Sequence, residues 1–250
     1  VGDLIPRNAY LRAADTAVVF DGGSCSYREY DERTYRLGNA LIGLGLQRQD
    51  RVSILSQNAI ECLEVFGAGE VTGIIVHPIN FRLTAPEVEY VLRDAAPGVV
   101  FFQAQYADLI ASIRASLPDI RWFIQIGGDA TVPSWSLAYE PLVATGAPAR
   151  PAMRPQDDDT AFLFYSSGST GKPKGVMLGQ SAQWHTGLAV GYEVGITPRD
   201  RGLVVMPLFH IGARFFQLAH HMAGATVHLP RRFDAATAVG VALFAIYLLA

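Results

Sequence analysis

Residues 165–176 read YSSGSTGKPKGV, a stretch of three glycines, two lysines, one proline and four serine or threonine side chains between two apolar runs. Glycine tolerates positive φ and lets backbone N–H groups turn toward one point, which is how a loop becomes a binding site for an anion. The hydroxyl and ammonium groups add further donors and positive charge. This composition predicts a phosphate-binding loop, although solvated connecting loops can share it.

The spacing of this loop excludes the most common phosphate-binding motif. In the Walker A motif four residues separate the two glycines, whereas only two separate Gly168 from Gly171. Pro173 follows Lys172 at the place where that motif has its Mg²⁺-binding Ser or Thr. The chain also has no G-x-G-x-x-G motif after a predicted strand, which argues against a dinucleotide site.

The chain as a whole has the composition of a compact protein that acts on small molecules. It has 250 residues, 50% of them hydrophobic, and a formal net charge of −3. The slight acidity argues against nucleic-acid binding and against a polybasic membrane anchor. Cys25 and Cys62 match no metal or redox spacing, which favours a reduced, cytoplasmic setting. Residues 235–250 carry no charge but are shorter than the ~20 residues that span a bilayer, so they predict a buried helix or a severed core segment rather than a membrane anchor.

Hydrophobic periodicity predicts an α/β fold with stacked, mostly parallel sheets and helices on their faces. In the first part of the chain, strand-length apolar runs alternate with helical patterns. The strands are predicted at 51–56, 73–79, 98–103 and 121–126, and the helices at 59–71, 85–95 and 106–117. Thr84 is the predicted N-cap of the second of these helices, with Pro86 and Glu87 in its first turn. An earlier helix is expected over 31–46, after Tyr30.

The predicted domain organisation follows from a change of composition. Residues 127–159 are rich in Pro, Gly and Ala and show no clear periodicity. We therefore expect a first α/β subdomain at 1–130, a connecting segment at 131–159 and a second α/β subdomain at 160–250, which carries the glycine loop. The second subdomain is predicted to contain strands 160–165, 176–178, 201–206 and 225–229 and helices 181–194 and 211–222.

Three blocks of this sequence resemble the adenylate-forming (AMP-binding) enzyme superfamily. Residues 165–176 are similar to its phosphate-binding signature, Y-T-S-G-T-T-G-x-P-K-G-V, with Ser-for-Thr exchanges that keep the hydroxyl. Residues 56–102 resemble an upstream block, and residues 206–213, MPLFHIGA, resemble a downstream block. The Pro-Leu-Phe-His element at 207–210 is similar to that of the acyl-CoA and aryl-CoA synthetases rather than to the F-D-x-S of amino-acid-activating domains.

The resemblance implies activation of a carboxylic acid, fatty or aryl, by ATP to an acyl-adenylate, followed by thioester formation with CoA. It implies that Mg²⁺ accompanies the ATP and that Ser166 approaches this ion. The residues expected to bind the nucleotide phosphates are Ser166, Ser167, Gly168, Ser169, Thr170, Gly171, Lys172 and Lys174. The residues expected to border the acid are Phe209, His210, Ile211 and Arg214. No residue of this chain is assigned a catalytic role.

The resemblance covers only the first half of such an enzyme. Family members carry further nucleotide-binding elements and a mobile C-terminal lid domain with the lysine that promotes adenylation, and this sequence contains neither. We therefore expect the chain alone to be nearly inactive. The alternatives are a non-catalytic nucleotide-binding module and a structural protein with a vestigial loop. The expected partners are a carboxylic acid, ATP and CoA, with no nucleic acid and no integral membrane span, and a homodimer is left open.

Overall fold

The computed structural model describes residues 1–127, 131–166 and 172–231. Within these ranges the chain forms two mostly parallel sheets with helices on their faces, which confirms the predicted α/β architecture. The strands are β1 (Thr16–Phe20), β2 (Gly23–Ser26), β3 (Arg51–Leu55), β4 (Ile75–Ile79), β5 (Val99–Gln103), β6 (Trp122–Ile126), β7 (Leu137–Ala138), β8 (Thr160–Ser166), β9 (Lys174–Gly179), β10 (Arg201–Leu203) and β11 (Thr226–Leu229). The α-helices are α1 (Leu4–Leu11), α2 (Tyr27–Gly43), α3 (Ile60–Thr72), α4 (Ala85–Ala95), α5 (Ala107–Ile113), α6 (Tyr139–Thr145), α7 (Gln180–Val194) and α8 (Ile211–Ala223).

The two sheets are assembled from interleaved parts of the chain. The larger has seven strands in the order β7-β6-β5-β3-β4-β8-β9, with an antiparallel pair at β8–β9. The smaller has the order β10-β11-β1-β2, with an antiparallel pair at β1–β2. Each sheet takes strands from both sides of 131–159, so the division into sheets does not coincide with the predicted subdomains. The segment 131–159 itself contributes β7 and α6.

Two helices begin with the same capping arrangement. At α4 the Glu87 carboxylate accepts hydrogen bonds from the backbone N–H and the hydroxyl of Thr84, at 2.8 and 2.7 Å. At α2 the Glu29 carboxylate accepts the equivalent bonds from Ser26, at 2.7 and 2.8 Å. These caps satisfy donors that a helix leaves unpaired at its start. They confirm the predicted N-cap at Thr84 and fix where each helix begins.

Helix α3 lies at the centre of the fold. Its residues from 62 to 72 are all buried, as expected for a helix that is apolar on nearly every side. Two glycines allow its close packing. A Cβ on Gly67 would lie 2.7 Å from Oγ1 of Thr34 on α2, and one on Gly69 would lie 2.4 Å from Cγ2 of Val76 on β4. Helix α3 therefore packs directly between α2 and the seven-stranded sheet.

Both faces of the seven-stranded sheet are covered. Helices α4 and α5 pack on one face, in a cluster that contains Leu55, Val88, Phe102 and Ile110. The other face belongs to the largest apolar cluster, which includes Val18 and Val227 of the smaller sheet and side chains of α2 and α3. One continuous core therefore joins the two sheets.

A buried ion pair crosses this core. Arg214 on α8 pairs with Glu70 on α3, and the two side chains are 1% and 4% exposed. The guanidinium also donates to the amide oxygen of Gln217, and it lies 4.8 Å from the ring centroid of Phe162 and 5.8 Å from that of Phe66. Each charge is therefore compensated by the other inside an apolar and aromatic surrounding.

Replacing Glu70 by alanine is expected to lower the free energy of unfolding by about 3–5 kcal/mol, because the Arg214 guanidinium would stay buried without a counter-ion. Urea denaturation measures this loss. The double variant Glu70→Leu/Arg214→Met should recover most of it, because apolar residues of similar volume replace the pair. The matched control is Glu89→Ala, which removes an exposed pair with Arg93 and should cost less than about 1 kcal/mol. Equal costs for Glu70→Ala and Glu89→Ala would contradict the prediction.

His77 is a buried titratable group on β4. Its Nδ1 lies 2.9 Å from the hydroxyl oxygen of Ser53 on the neighbouring strand, and its side chain is 1% exposed. Burial lowers the pKa of this imidazole to about 3, because the charged form would lose its hydration. His77 is therefore neutral in the folded chain at every pH at which an exposed histidine would titrate.

Acid is expected to destabilise the chain partly through His77. The unfolded imidazole has a pKa of ~6.5, so unfolding takes up a proton between about pH 6.5 and the folded pKa, and stability falls as the pH decreases through this window. This one group contributes a loss of about 2 kcal/mol between pH 7 and pH 5. Urea denaturation measures the free energy of unfolding of wild type and of His77→Gln. The value for wild type minus the value for the variant should be about 2 kcal/mol smaller at pH 5 than at pH 7. A pH-independent difference would show that His77 has the same pKa in the folded and in the unfolded chain, which would contradict the prediction.

Candidate functional site

Loops at the carboxyl ends of three strands meet at one edge of the molecule. They follow β3, β4 and β11. The loops after β3 and β4 contact residues 206–209, which come after β10, and the loop after β11 contacts Asn58 in the loop after β3. Open α/β sheets bind their ligands in the crevice outside the carboxyl ends of parallel strands. This edge is therefore the candidate functional site.

Asn58, which follows β3, joins these loops through its side-chain amide. The Nδ2 group donates to the carbonyl oxygens of Met206, at 3.2 Å, and Pro230, at 3.3 Å. Its Oδ1 accepts from the backbone N–H of Leu208 at 2.8 Å. A side chain that is 5% exposed thus holds the segment after β10 and the segment after β11 against the end of β3. The sequence reasoning assigned no role to this residue.

His210 is the N-cap of α8. Its Nδ1 accepts a hydrogen bond from the backbone N–H of Gly212 at 3.3 Å, so the proton of the neutral ring is carried by Nε2. The imidazole is exposed at the helix start, and Ile211, the first residue of α8, is half-buried beside it. His210 can therefore present a donor at a helix N-terminus, where negative charge is favoured.

Phe209 is held by the loop after β4. Its ring meets that of Phe81 edge to face, with 5.3 Å between centroids. The guanidinium of Arg82 lies 5.6 Å from the centroid of Phe81 and 5.9 Å from that of Phe209. The downstream sequence block at 206–213 is thus packed against residues of the upstream block.

A cavity of about 280 Å³ opens between these loops. Asn58, Phe81, Arg82, Pro207 and Arg231 contribute to its lining, and the described lining residues include two arginines and no carboxylate. Sequence reasoning missed Phe81 and Arg82, although they lie two and three residues after the end of a predicted strand. The rule that ligands bind beyond the carboxyl ends of strands is the signal that could have identified them.

The two arms of the glycine loop leave an antiparallel strand pair. Ser166 ends β8 opposite Lys174, which begins β9. Ser166, Lys172 and Lys174 are all exposed. The other predicted phosphate-binding residues, Ser167, Gly168, Ser169, Thr170 and Gly171, lie outside the described residues, as does the uncharged segment 235–250.

Arg214 is buried, unlike the other residues predicted to border the acid. Phe209, His210 and Ile211 are exposed or half-buried, whereas the guanidinium of Arg214 is buried and held by Glu70 and Gln217. Its position four residues after His210 places it in the first turns of α8, with its side chain directed into the core. The arginine that was expected to border the acid therefore has its charge already compensated inside the core.

Two further observations concern ions and membranes. Residues 1–127, 131–166 and 172–231 contain no group of three or more His, Cys, Asp or Glu side chains that could hold a metal ion. None of the helices in these ranges combines the length and the apolar character that crossing a bilayer requires.

Known proteins resemble this chain along nearly its whole length. Indoleacetate–CoA ligase of Aromatoleum aromaticum is 32% identical over 238 residues, which cover 94% of this chain and 46% of that enzyme. The long-chain-fatty-acid–CoA ligase FadD13 of Mycobacterium tuberculosis is 33% identical over 84% of this chain and 40% of its own length. The chain therefore spans less than half the length of these relatives.

A solved structure matches the fold. The anthranilate CoA ligase AuaEII, in complex with anthranoyl-AMP, has a TM-score of 0.89 and 28% identity to this chain, and the match covers 96% of this chain and 46% of that one. The model of the AMP-binding enzyme family matches residues 5–246, a range that contains both sheets and the loops at their shared edge. The chain belongs to the AMP-binding enzyme family.

Proposed function

We propose that this chain supplies the phosphate-binding and acid-binding surfaces of an acyl- or aryl-CoA ligase. The observation that carries the proposal is that the β4–α4 segment contacts both signature blocks. Phe81 packs on Phe209 of the downstream block, and Tyr90 bonds to Pro173 in the glycine loop. An acid held beside residues 207–211 would thus lie on the same wall of the site as the nucleotide phosphates. The relatives named above support the ligase class.

The proposed reaction has two steps. In the first, a carboxylate oxygen of the acid attacks the α-phosphorus of ATP, and the bond to the bridging oxygen breaks, which releases pyrophosphate. In the second, the thiolate of CoA attacks the acyl carbonyl and AMP leaves. The protein contributes position and charge compensation rather than covalent chemistry, because both steps bring anions together.

The glycine loop is the proposed holder of the β- and γ-phosphates. Its hydroxyl groups and backbone N–H groups would donate to the phosphate oxygens, and Lys172 and Lys174 would compensate charge as pyrophosphate leaves. Lys172 and Lys174 are the only lysines among the 250 residues, so all the lysine charge of the chain is in this loop. Lys172 and Lys174 are exposed where the chain enters β9, so both ammonium groups are accessible to a nucleotide.

Mg²⁺ fits this site as part of Mg·ATP rather than as a resident ion. The described residues offer the Ser166 hydroxyl, a neutral ligand, and no cluster of carboxylates. When bound, the ion supplies charge neutralisation on the phosphate oxygens. Ser166 is the residue that would contact it.

The acid would be bordered by Phe209, His210 and Ile211. The Nε2–H of His210 is the proposed donor to the carboxylate or to the α-phosphate, and it stands at the start of α8, where the helix favours an anion. Arg214 is left out of the proposed acid-binding surface, because its side chain is 1% exposed and its guanidinium is held by Glu70 and Gln217. The named relatives act on indoleacetate and long-chain fatty acids, so the proposed substrate class is a fatty or aryl carboxylic acid.

The full-length enzyme is expected to catalyse carboxylate-dependent exchange between ATP and labelled pyrophosphate. A panel of aryl and fatty acids tests the substrate class. The double variant Gly171→Ala/Lys174→Ala should lower the exchange rate at least ~100-fold, because it removes phosphate donors and charge from the transition state. Absence of exchange with every acid would contradict the ligase proposal. Unchanged exchange in the double variant would contradict the assignment of the loop.

The chain alone is expected to bind Mg·ATP without turning it over. Acetic anhydride labels amines, and mass spectrometry resolves the modification of the two lysines. Mg·ATP at ten times its Kd should slow their acetylation about tenfold, because only the free chain reacts. Adenosine, which lacks phosphates, is the matched control and should give no protection. Equal labelling with and without Mg·ATP would show that this chain by itself does not bind phosphate.

A further inference from the structure

Helix α4 lies against both arms of the segment that joins β8 to β9. Its residues Tyr90 and Asp94 are four positions apart, so they share one face of the helix, one turn from each other. One of them contacts the residue before Ser166, and the other contacts the residues before Lys174. No sequence motif assigned a role to either side chain. The proposed function relies only on the bond from the Tyr90 hydroxyl to the carbonyl oxygen of Pro173.

Asp94 holds the first arm. The Tyr165 hydroxyl donates to the Asp94 carboxylate at 2.6 Å, a short bond of the kind that a charged acceptor makes. The Tyr165 ring lies on the neutral imidazole of His77, with 4.8 Å between centroids. Burial and the bond to Asp94 both raise the pKa of the Tyr165 phenol, so this donor keeps its proton. The half-buried Tyr165 side chain is thus held at both its ring and its hydroxyl.

Tyr90 holds the second arm. Its hydroxyl donates to the carbonyl oxygen of Pro173 at 3.3 Å. The Lys172 ammonium lies 5.7 Å from the centroid of the same ring, within the range of a cation–π contact. One tyrosine therefore contacts the backbone and the charge of two successive loop residues.

We propose that Tyr90 and Asp94 are positioning residues that hold the two arms of the phosphate loop at a fixed separation and keep the Lys172 ammonium at the mouth of the loop. The functional consequence rests on the function proposed above. Arms fixed in advance do not have to be ordered when a phosphate binds, so less of the binding free energy is lost. The aromatic face attracts Lys172 less strongly than a phosphate does, so the ammonium can transfer to the ligand.

Conservative variants separate this role from simple packing. Tyr90→Phe keeps the ring under Lys172 and removes the bond to Pro173, whereas Tyr90→Leu removes both. Asp94→Asn keeps an oxygen that can accept from Tyr165, whereas Asp94→Ala removes it. Tyr192→Phe is the matched control, because this tyrosine is 85% exposed and its hydroxyl has no described partner.

The first experiment is lysine acetylation of the ligand-free chain, with Lys174 as the internal reference for Lys172. Tyr90→Leu should raise the ratio of Lys172 to Lys174 labelling about threefold, as the loss of an exposed cation–π contact predicts. Tyr90→Phe should keep the wild-type ratio. A ratio unchanged in Tyr90→Leu, or changed equally in Tyr192→Phe, would overturn the role of Tyr90.

The second experiment is hydrogen exchange of the peptide spanning 164–176. Asp94→Ala should exchange at least about tenfold faster than wild type through the loss of one bond to a charged group, and Asp94→Asn should restore most of the protection. A purely structural role would instead lower the thermal midpoint in both variants without this rescue. Equal exchange in wild type and Asp94→Ala would overturn the role of Asp94.

The link to nucleotide binding is tested separately. If the wild-type chain binds Mg·ATP, Tyr90→Leu and Asp94→Ala should each raise the Kd several-fold, and Asp94→Asn should raise it less. Binding by wild type with unchanged Kd in both variants would overturn the positioning proposal alone. Failure of wild type to bind Mg·ATP would count against the proposed function, while the two ligand-free experiments would still decide whether Tyr90 and Asp94 hold the arms.

Discussion

The buried ion pair between Glu70 and Arg214 constrains the rest of the structure. Either charge alone would be costly in an apolar interior, so neither α3 nor α8 can be buried without the other. Helix α3 packs on the seven-stranded sheet, and α8 contacts β10 and β11 of the smaller sheet. The two partners are 144 residues apart in the chain. The relative position of the two sheets is therefore specified by a contact that closes only when both halves of the chain have folded.

This constraint places the candidate site. With α3 and α8 held together, the loops that follow β3, β4 and β11 reach the same edge. Asn58 then fixes their spacing through bonds to three backbone groups, contributed by Met206, Leu208 and Pro230. A buried amide that satisfies three backbone groups is hard to replace, because any shorter or apolar side chain leaves those groups unpaired. The geometry around His210 thus depends on an amide side chain whose oxygen and nitrogen are bound to backbone groups.

Local features of the fold could be predicted from the sequence, and its long-range pairings could not. Periodicity identified the strands from β3 to β6, and the cap at Thr84 marked the start of α4, because these signals lie within a few residues. The elements α1, β1, β2 and β7 escaped prediction because each is too short to show a clear hydrophobic period. The interleaving of the sheets was not foreseen because its strand pairs are distant in sequence: β1 pairs with β11, more than 200 residues later.

The candidate site shows the same limit. The residue order of the glycine loop and of residues 206–213 was enough to identify the family, because those blocks are contiguous. The burial of Arg214 could not be predicted from the sequence, because an arginine on a helix is usually exposed and its partner Glu70 lies on another helix. Arg82 and Phe81 were likewise overlooked, since their relevance follows from which strand ends adjoin in space.

Helix α4 sets the distance between the acid-binding side and the phosphate-binding side of the candidate site. The segment before it carries Phe81 and Arg82 against Phe209, and its last two turns carry Tyr90 and Asp94 against the loop arms. From residue 85 to residue 94 a helix rises about 14 Å, and this length is rigid because each turn is hydrogen-bonded to the next. The separation between the acid-side aromatic contact and the phosphate-side contacts is therefore set by the number of residues in one helix. A ligase that must bring a carboxylate and a phosphate together needs such a fixed distance, since errors of an ångström in the reacting geometry reduce the rate severely.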